Sequence, residues 1–179
     1  MIAVVGVAFK PADSRYKVGD TATDFKLKNV TGKTVLLADY KTAKDYIVIF
    51  TCNHCPYAKA YAVVAIRPND PVAEPIDSFE NMQKLAKHKG YTYPYLIDET
   101  QDMIRAYGAK ATPHVYVLQE AAAGNVVKYI GAIDNDTENG NPTKVKYLEN
   151  AVNALFSNKQ PGVSSTKAIG CGIKWRKSA

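Results

Sequence analysis

The chain has 179 residues, 46% hydrophobic and 22% charged, which suits one globular domain with a filled core. Lys and Arg outnumber Asp and Glu by 23 to 17. The basic residues are scattered, with one cluster at Lys174-Trp175-Arg176-Lys177, so the charge reads as a solvated surface and no nucleic-acid partner is expected.

No apolar run reaches membrane-spanning length, and three cysteines are too few for a disulfide scaffold. The opening Met1–Phe9 is apolar but lacks a basic flank and a small-x-small cleavage site. It reads as the remnant of a signal or as an N-terminal strand, which leaves periplasmic, other extracytoplasmic and cytoplasmic settings open. Residues 10–20 form an irregular lead-in.

Asp24-Phe25-Lys26-Leu27-Lys28 alternates with period two, residues 29–33 turn the chain at Gly32, and Thr34–Leu37 returns it as a β-hairpin. A polar connection, 38–45, leads to Ile47-Val48-Ile49-Phe50, a short buried strand. Thr51 is placed to cap a helix with Cys52 and Cys55 in its first turn. Ala62–Ile66 is a second buried strand, so Thr51–Tyr61 supplies barely the ten to twelve residues that a parallel crossover needs.

Asp77-Ser78-Phe79-Glu80 opens a helix with an acid positioned for a capping box, and Gly90 ends it. Tyr93–Ile97 is extended. A further helix is expected from Asp98 to Gly108, with Met103, Ile104 and Tyr107 on one face. Val115–Leu118 and Val126–Gly131 form a hairpin around Gly124. Thr143 is placed to cap a last helix bearing Val145, Leu148, Val152 and Leu155. This order predicts an α/β protein with a central mixed sheet flanked by helices.

The chemistry concentrates in Cys52-Asn53-His54-Cys55. Unpaired N–H groups and the positive end of the dipole at a helix start stabilise a thiolate, and the spacing of the pair brings the second sulfur within disulfide reach. Low thiol pKa values are characteristic of such motifs. Two other readings use the same residues. A zinc site needs about four ligands, with Cys171, His54, His88 and His114 as the remaining candidates. The pair could also be an inert disulfide or two buried thiols.

Several stretches resemble the thioredoxin superfamily, in the branch related to the alkyl hydroperoxide reductase/thiol-specific antioxidant group. They are Val18-Gly19-Asp20 with Asp24–Leu27, Phe50–Tyr57, Asp77–Met82, Tyr95–Gln101, Ala111-Thr112-Pro113-His114 and Gly170–Trp175. Together they span most of residues 16–177. The resemblance implies a thioredoxin-like fold and a cis Thr112–Pro113 bond that brings the Thr112 backbone next to Cys52, where a substrate chain can pair as an added strand. It implies Cys52 as nucleophile, Cys55 as resolving thiol and His54 as the residue that stabilises the Cys52 thiolate. No cofactor or metal is implied. The partners implied are a disulfide- or thiol-containing protein or small molecule, and an electron donor or acceptor.

The chain also departs from its relatives. Tyr46 stands where thioredoxins carry a buried Asp, and Ile49 stands where peroxiredoxins need the Thr of their peroxide-binding motif. Relatives of this type carry a longer helix and loop where Tyr61 meets Ala62. A thiol–disulfide oxidoreductase is the leading expectation; a thiol peroxidase and a non-enzymatic, redox-switched binding module are the alternatives. Cys171 reads either as a third redox participant on a mobile tail or as a small buried residue near Trp175. The expected organisation is a lead-in over 1–17, a thioredoxin-like domain over 18–160 and a C-terminal tail over 161–179.

Overall fold

The computed structural model describes residues 15–52, 63–136 and 140–177. Its strands are β1 (Thr21–Ala22), β2 (Lys26–Asn29), β3 (Thr34–Leu36), β4 (Asp45–Phe50), β5 (Val63–Arg67), β6 (Tyr95–Ile97), β7 (Ala111–Thr112), β8 (His114–Ala121), β9 (Gly124–Gly131) and β10 (Cys171–Gly172). The helices are α1 (Phe79–Lys89), α2 (Asp102–Tyr107) and α3 (Tyr147–Phe156). Eight strands form one mixed sheet in the order β1-β9-β8-β4-β5-β6-β2-β3, and β10 pairs with β7 in a second, two-stranded sheet. This is an α/β thioredoxin-like fold.

The centre of the sheet is buried on both sides. Along β4, Tyr46, Val48 and Phe50 enter one core cluster with Ile104, Tyr107, Tyr116 and Leu118. Ile47 and Ile49 enter another with Leu148, Val152 and Leu155 of α3. A strand covered on both faces has no polar alternation, which explains the continuous apolar run at 46–50. β4 and β5 run parallel, with Ile47 opposite Val63 and Phe50 opposite Ile66. β4 and β8 run antiparallel, from Asp45 opposite Gln119 to Phe50 opposite His114.

The predicted hairpin at 24–37 is present as β2–β3. Ser78 caps α1 by accepting from the Asn81 N–H, and Gly90 ends the helix in the left-handed region at φ 63°. Asn81, not Glu80, occupies the third helical position, so no capping box forms; Glu80 pairs instead with Lys84 at 2.7 Å. The second helix begins at Asp102 rather than Asp98, whose carboxylate accepts the Ile104 N–H at 2.9 Å from outside the helix. Thr143 does not cap the last helix. Its N–H and hydroxyl go to Asn141 Oδ1, and the helix starts at Tyr147, leaving Val145 exposed ahead of it. The expectations for Met1–Phe9 and for the helix that Thr51 would cap lie outside the described residues.

Leu118 is fully buried on β8. Leu118→Ala removes its apolar contacts and leaves a cavity, so chemical denaturation is expected to show a loss of about 2–5 kcal/mol. A loss below about 1 kcal/mol would contradict this packing.

Candidate active site

Phe50 closes the β4–β8 ladder opposite His114. Two residues beyond that closing pair, one on each segment, stand Cys52 and Thr112. Between those positions the Thr112–Pro113 peptide is cis, as the resemblance implied, and Pro113 has no N–H to offer to a neighbouring strand. Thr112 is 2% exposed, and its hydroxyl has no hydrogen-bond partner among the described residues. Cys52 is half-buried. The motif partners His54 and Cys55 lie outside the described residues.

One wall beside Cys52 is aromatic. Cys52 shares a small hollow with Thr51, Ala65, Tyr91, Tyr93 and Tyr95. Tyr91 stacks on Tyr93 with centroids 4.7 Å apart and meets Tyr95 edge-on at 5.8 Å. Burial first, and then the nearby Asp77 charge, lifts the Tyr95 phenol well above its ordinary range. Sequence reasoning treated residues 93–97 only as an extended segment. The signal it passed over is the Tyr-x-Tyr-x-Tyr alternation at Tyr91, Tyr93 and Tyr95, which turns one face of a strand and its approach into an aromatic surface.

The other side carries His114, buried and tilted against Tyr116 with centroids 5.0 Å apart. Its Nδ1 accepts the Lys110 N–H at 3.2 Å, which assigns the ring proton to Nε2. Desolvation, reinforced by the Lys110 charge, pulls the His114 pKa down to about 4. The neutral ring is therefore a packing element, not a proton carrier near pH 7. Tyr46, where a thioredoxin has its buried acid, is buried with its hydroxyl donating to the Tyr40 carbonyl at 3.1 Å. Ile49 lies in β4, 1% exposed and without a polar atom.

Cys171 corrects one expectation. It is exposed rather than buried beside Trp175, and it sits in β10, antiparallel to β7, with Cys171 opposite Thr112 and Gly172 opposite Ala111. Sequence reasoning had no signal for this pairing, because a two-residue strand carries no periodicity. Among the described residues, no group of three or more His, Cys, Asp and Glu side chains could hold a metal ion. Nor is any helix among them long and apolar enough to cross a membrane.

His114 generates a pH prediction. Its pKa is near 6.5 in an unfolded chain and about 4 in the fold, so between those values the unfolded chain binds more protons. Stability from this group is fully present above about pH 6.5 and is lost as pH falls toward 4, by at most on the order of 3 kcal/mol. His114→Asn, which keeps an acceptor for the Lys110 N–H, should flatten thermal stability across that window relative to wild type. Parallel pH profiles for the two proteins would contradict the assignment.

Comparison with known proteins bears on the family and the fold. Residues 18–129 match the model of the AhpC/TSA family. The thiol-disulfide oxidoreductase ResA of Geobacillus thermodenitrificans (strain NG80-2) is 26% identical over 128 residues, covering 63% of this chain and 68% of that protein. An uncharacterised conserved protein from Geobacillus kaustophilus superposes with a TM-score of 0.78 at 35% identity, over 91% of this chain and 94% of that one. A hypothetical protein from Sinorhizobium meliloti 1021 gives 0.79 at 30% identity, over 92% and 98%. With a family match over more than half its length and these relatives across nearly all of it, the chain is a thioredoxin-like member of the AhpC/TSA family.

Proposed function

We propose that the protein is a thiol–disulfide oxidoreductase whose reacting centre is the dithiol of Cys52 and Cys55. One observation carries the reading. Cys52 follows the end of β4, whose last residue, Phe50, stands opposite His114, directly after the cis Thr112–Pro113 bond, which supports a thiol placed to meet a substrate strand at Thr112. Family membership and the name of the ResA relative support the same chemistry.

In the reducing direction the Cys52 thiolate attacks one sulfur of a substrate disulfide. The Cys52–substrate S–S bond forms as the substrate S–S bond breaks, and the other substrate sulfur leaves as a thiolate that takes up a proton. The Cys55 thiolate then attacks Cys52, forming the Cys52–Cys55 disulfide and releasing the second substrate thiol. Two electrons have passed to the substrate, and an external dithiol donor returns them. The oxidising direction is the same sequence reversed. His54, next to Cys55 in sequence, tunes the Cys52 thiolate through its charge. Thr112 and Pro113 position the substrate backbone.

Peroxide chemistry is less well supported, because the buried, apolar Ile49 has no donor with which to hold a peroxide oxygen. Insulin reduction with a dithiol donor tests the proposal. Wild type should accelerate it, and Cys52→Ser should fall to the uncatalysed rate; equal rates in the two proteins would end the reading. Redox equilibration of wild type with glutathione should give a potential within roughly −270 to −120 mV.

A further inference from the structure

The edge of Thr112 at which a substrate strand would add is already taken by the protein's own C-terminal segment. β10 lies antiparallel on β7 with Cys171 opposite Thr112. Gly170 permits this approach. A Cβ there would overlap the Thr112 carbonyl oxygen and come 2.7 Å from its carbon and 3.0 Å from the Pro113 ring. Any side chain at this position forces the two strands apart.

Anchors hold the segment on both sides. Upstream, Thr166 Oγ1 accepts the Ala132 N–H at 2.9 Å and shares a hydrogen bond with the Tyr129 hydroxyl at 2.8 Å, against a glycine, Gly131, that leaves room for it. Downstream, buried polar groups clasp the main chain of the tail. Lys174 O accepts the Asp70 N–H and a Gln101 Nε2–H, both at 2.9 Å. The Lys174 N–H donates to Asn69 Oδ1 at 3.0 Å, and the Arg176 N–H to Gln101 Oε1 at 2.9 Å.

Gln101 is 1% exposed and holds a left-handed backbone at φ 60°. That conformation is unfavourable for a non-glycine residue and persists where its surroundings over-determine it. Here the side chain supplies the constraint, since it bonds Pro68, Lys174 and Arg176 together. The tail is thus held by main-chain hydrogen bonds to a buried clasp, by Ile173 packed against the core and by the Arg105 guanidinium over the Trp175 ring. Cys171 and Gly172 between the anchors remain exposed.

We propose that residues 170–176 form an intramolecular strap, a built-in occupant of the Thr112 edge that must peel away before an extended polypeptide carrying a disulfide can pair there. The strap makes the substrate class depend on its state. A small disulfide reaches Cys52 without strand pairing, whereas a protein disulfide needs the edge cleared. The proposal rests on the reading that Cys52 exchanges disulfides.

Two full-length variants test it. Gly170→Ala adds the one atom group that the Thr112 carbonyl excludes. Gln101→Gly removes two of the clasp's hydrogen bonds to the tail while relieving the left-handed backbone, so it does not depend on the first variant folding. Hydrogen exchange at the Lys174 amide, which donates to Asn69 Oδ1, reads tail release, and kcat/KM is measured with insulin and with a small aromatic disulfide. Released tails should raise the insulin value by about tenfold if the open strap is about one-tenth populated in wild type, with the small-disulfide value unchanged. Unchanged or lower insulin activity in a variant with a released tail overturns the proposal. So does a parallel change with both substrates, or unaltered Lys174 exchange in both variants. A wild type inert toward both disulfides ends the reading beneath the proposal, and the proposal with it.

Discussion

The antiparallel ladder between β4 and β8 is the constraint on which the site depends. It ends with Phe50 opposite His114, and both residues are buried among aromatic rings. Phe50 meets Tyr107 and Tyr116 edge-on at 5.3 and 5.8 Å, and Tyr116 ties its hydroxyl to the Tyr107 carbonyl at 2.8 Å. Two strands locked this close to their ends leave little freedom to the residues immediately beyond them. Cys52 follows one strand of that ladder by two residues, and Thr112-Pro113 leads directly into the other.

The rest of the fold serves this point in layers. β5 and β8 flank β4 on either side, and α3 and the cluster around Tyr107 close the two faces. On the β5–β6 side, Tyr91, Tyr93 and Tyr95 give the cysteine an aromatic neighbour. Behind the same strands, the buried Arg67 guanidinium, whose pKa is lowered by burial against the opposing pull of Asp77, donates to the Asn69 carbonyl. Asn69 in turn donates from Nδ2 to Asp77 at 2.7 Å. Its remaining side-chain oxygen is the one that grips Lys174, so a polar cluster inside the domain connects directly to the segment lying on the Thr112 edge.

The legible parts of the sequence were those whose cause is local. The β2–β3 turn at Gly32, the cap at Ser78, the stop at Gly90 and the buried run at 47–50 are each decided by neighbours in sequence. Helix starts were misread where a side chain found a competing partner. Asp98 reaches forward to Ile104 instead of opening a helix, and Thr143 turns back to Asn141. The site was half legible. Cys52 and the cis Thr112–Pro113 could be named from motif and resemblance, and the cis bond is present in the fold. The aromatic wall and the strap could not. Tyr91 gains its role by stacking across a short turn, and Cys171 gains its own from pairing with Thr112, far away in sequence.

The most direct test is a mixed disulfide. In a Cys55→Ser, Cys171→Ser double variant, Cys52 can be joined to a cysteine in an extended peptide, and main-chain hydrogen exchange followed before and after coupling. The account predicts that the amides of Lys174 and Arg176 lose protection while the main chain at Thr112 keeps its own, because the peptide takes the place of the tail. A tail that stays fully protected with the peptide bound would show that substrate meets Cys52 elsewhere, and would contradict the account.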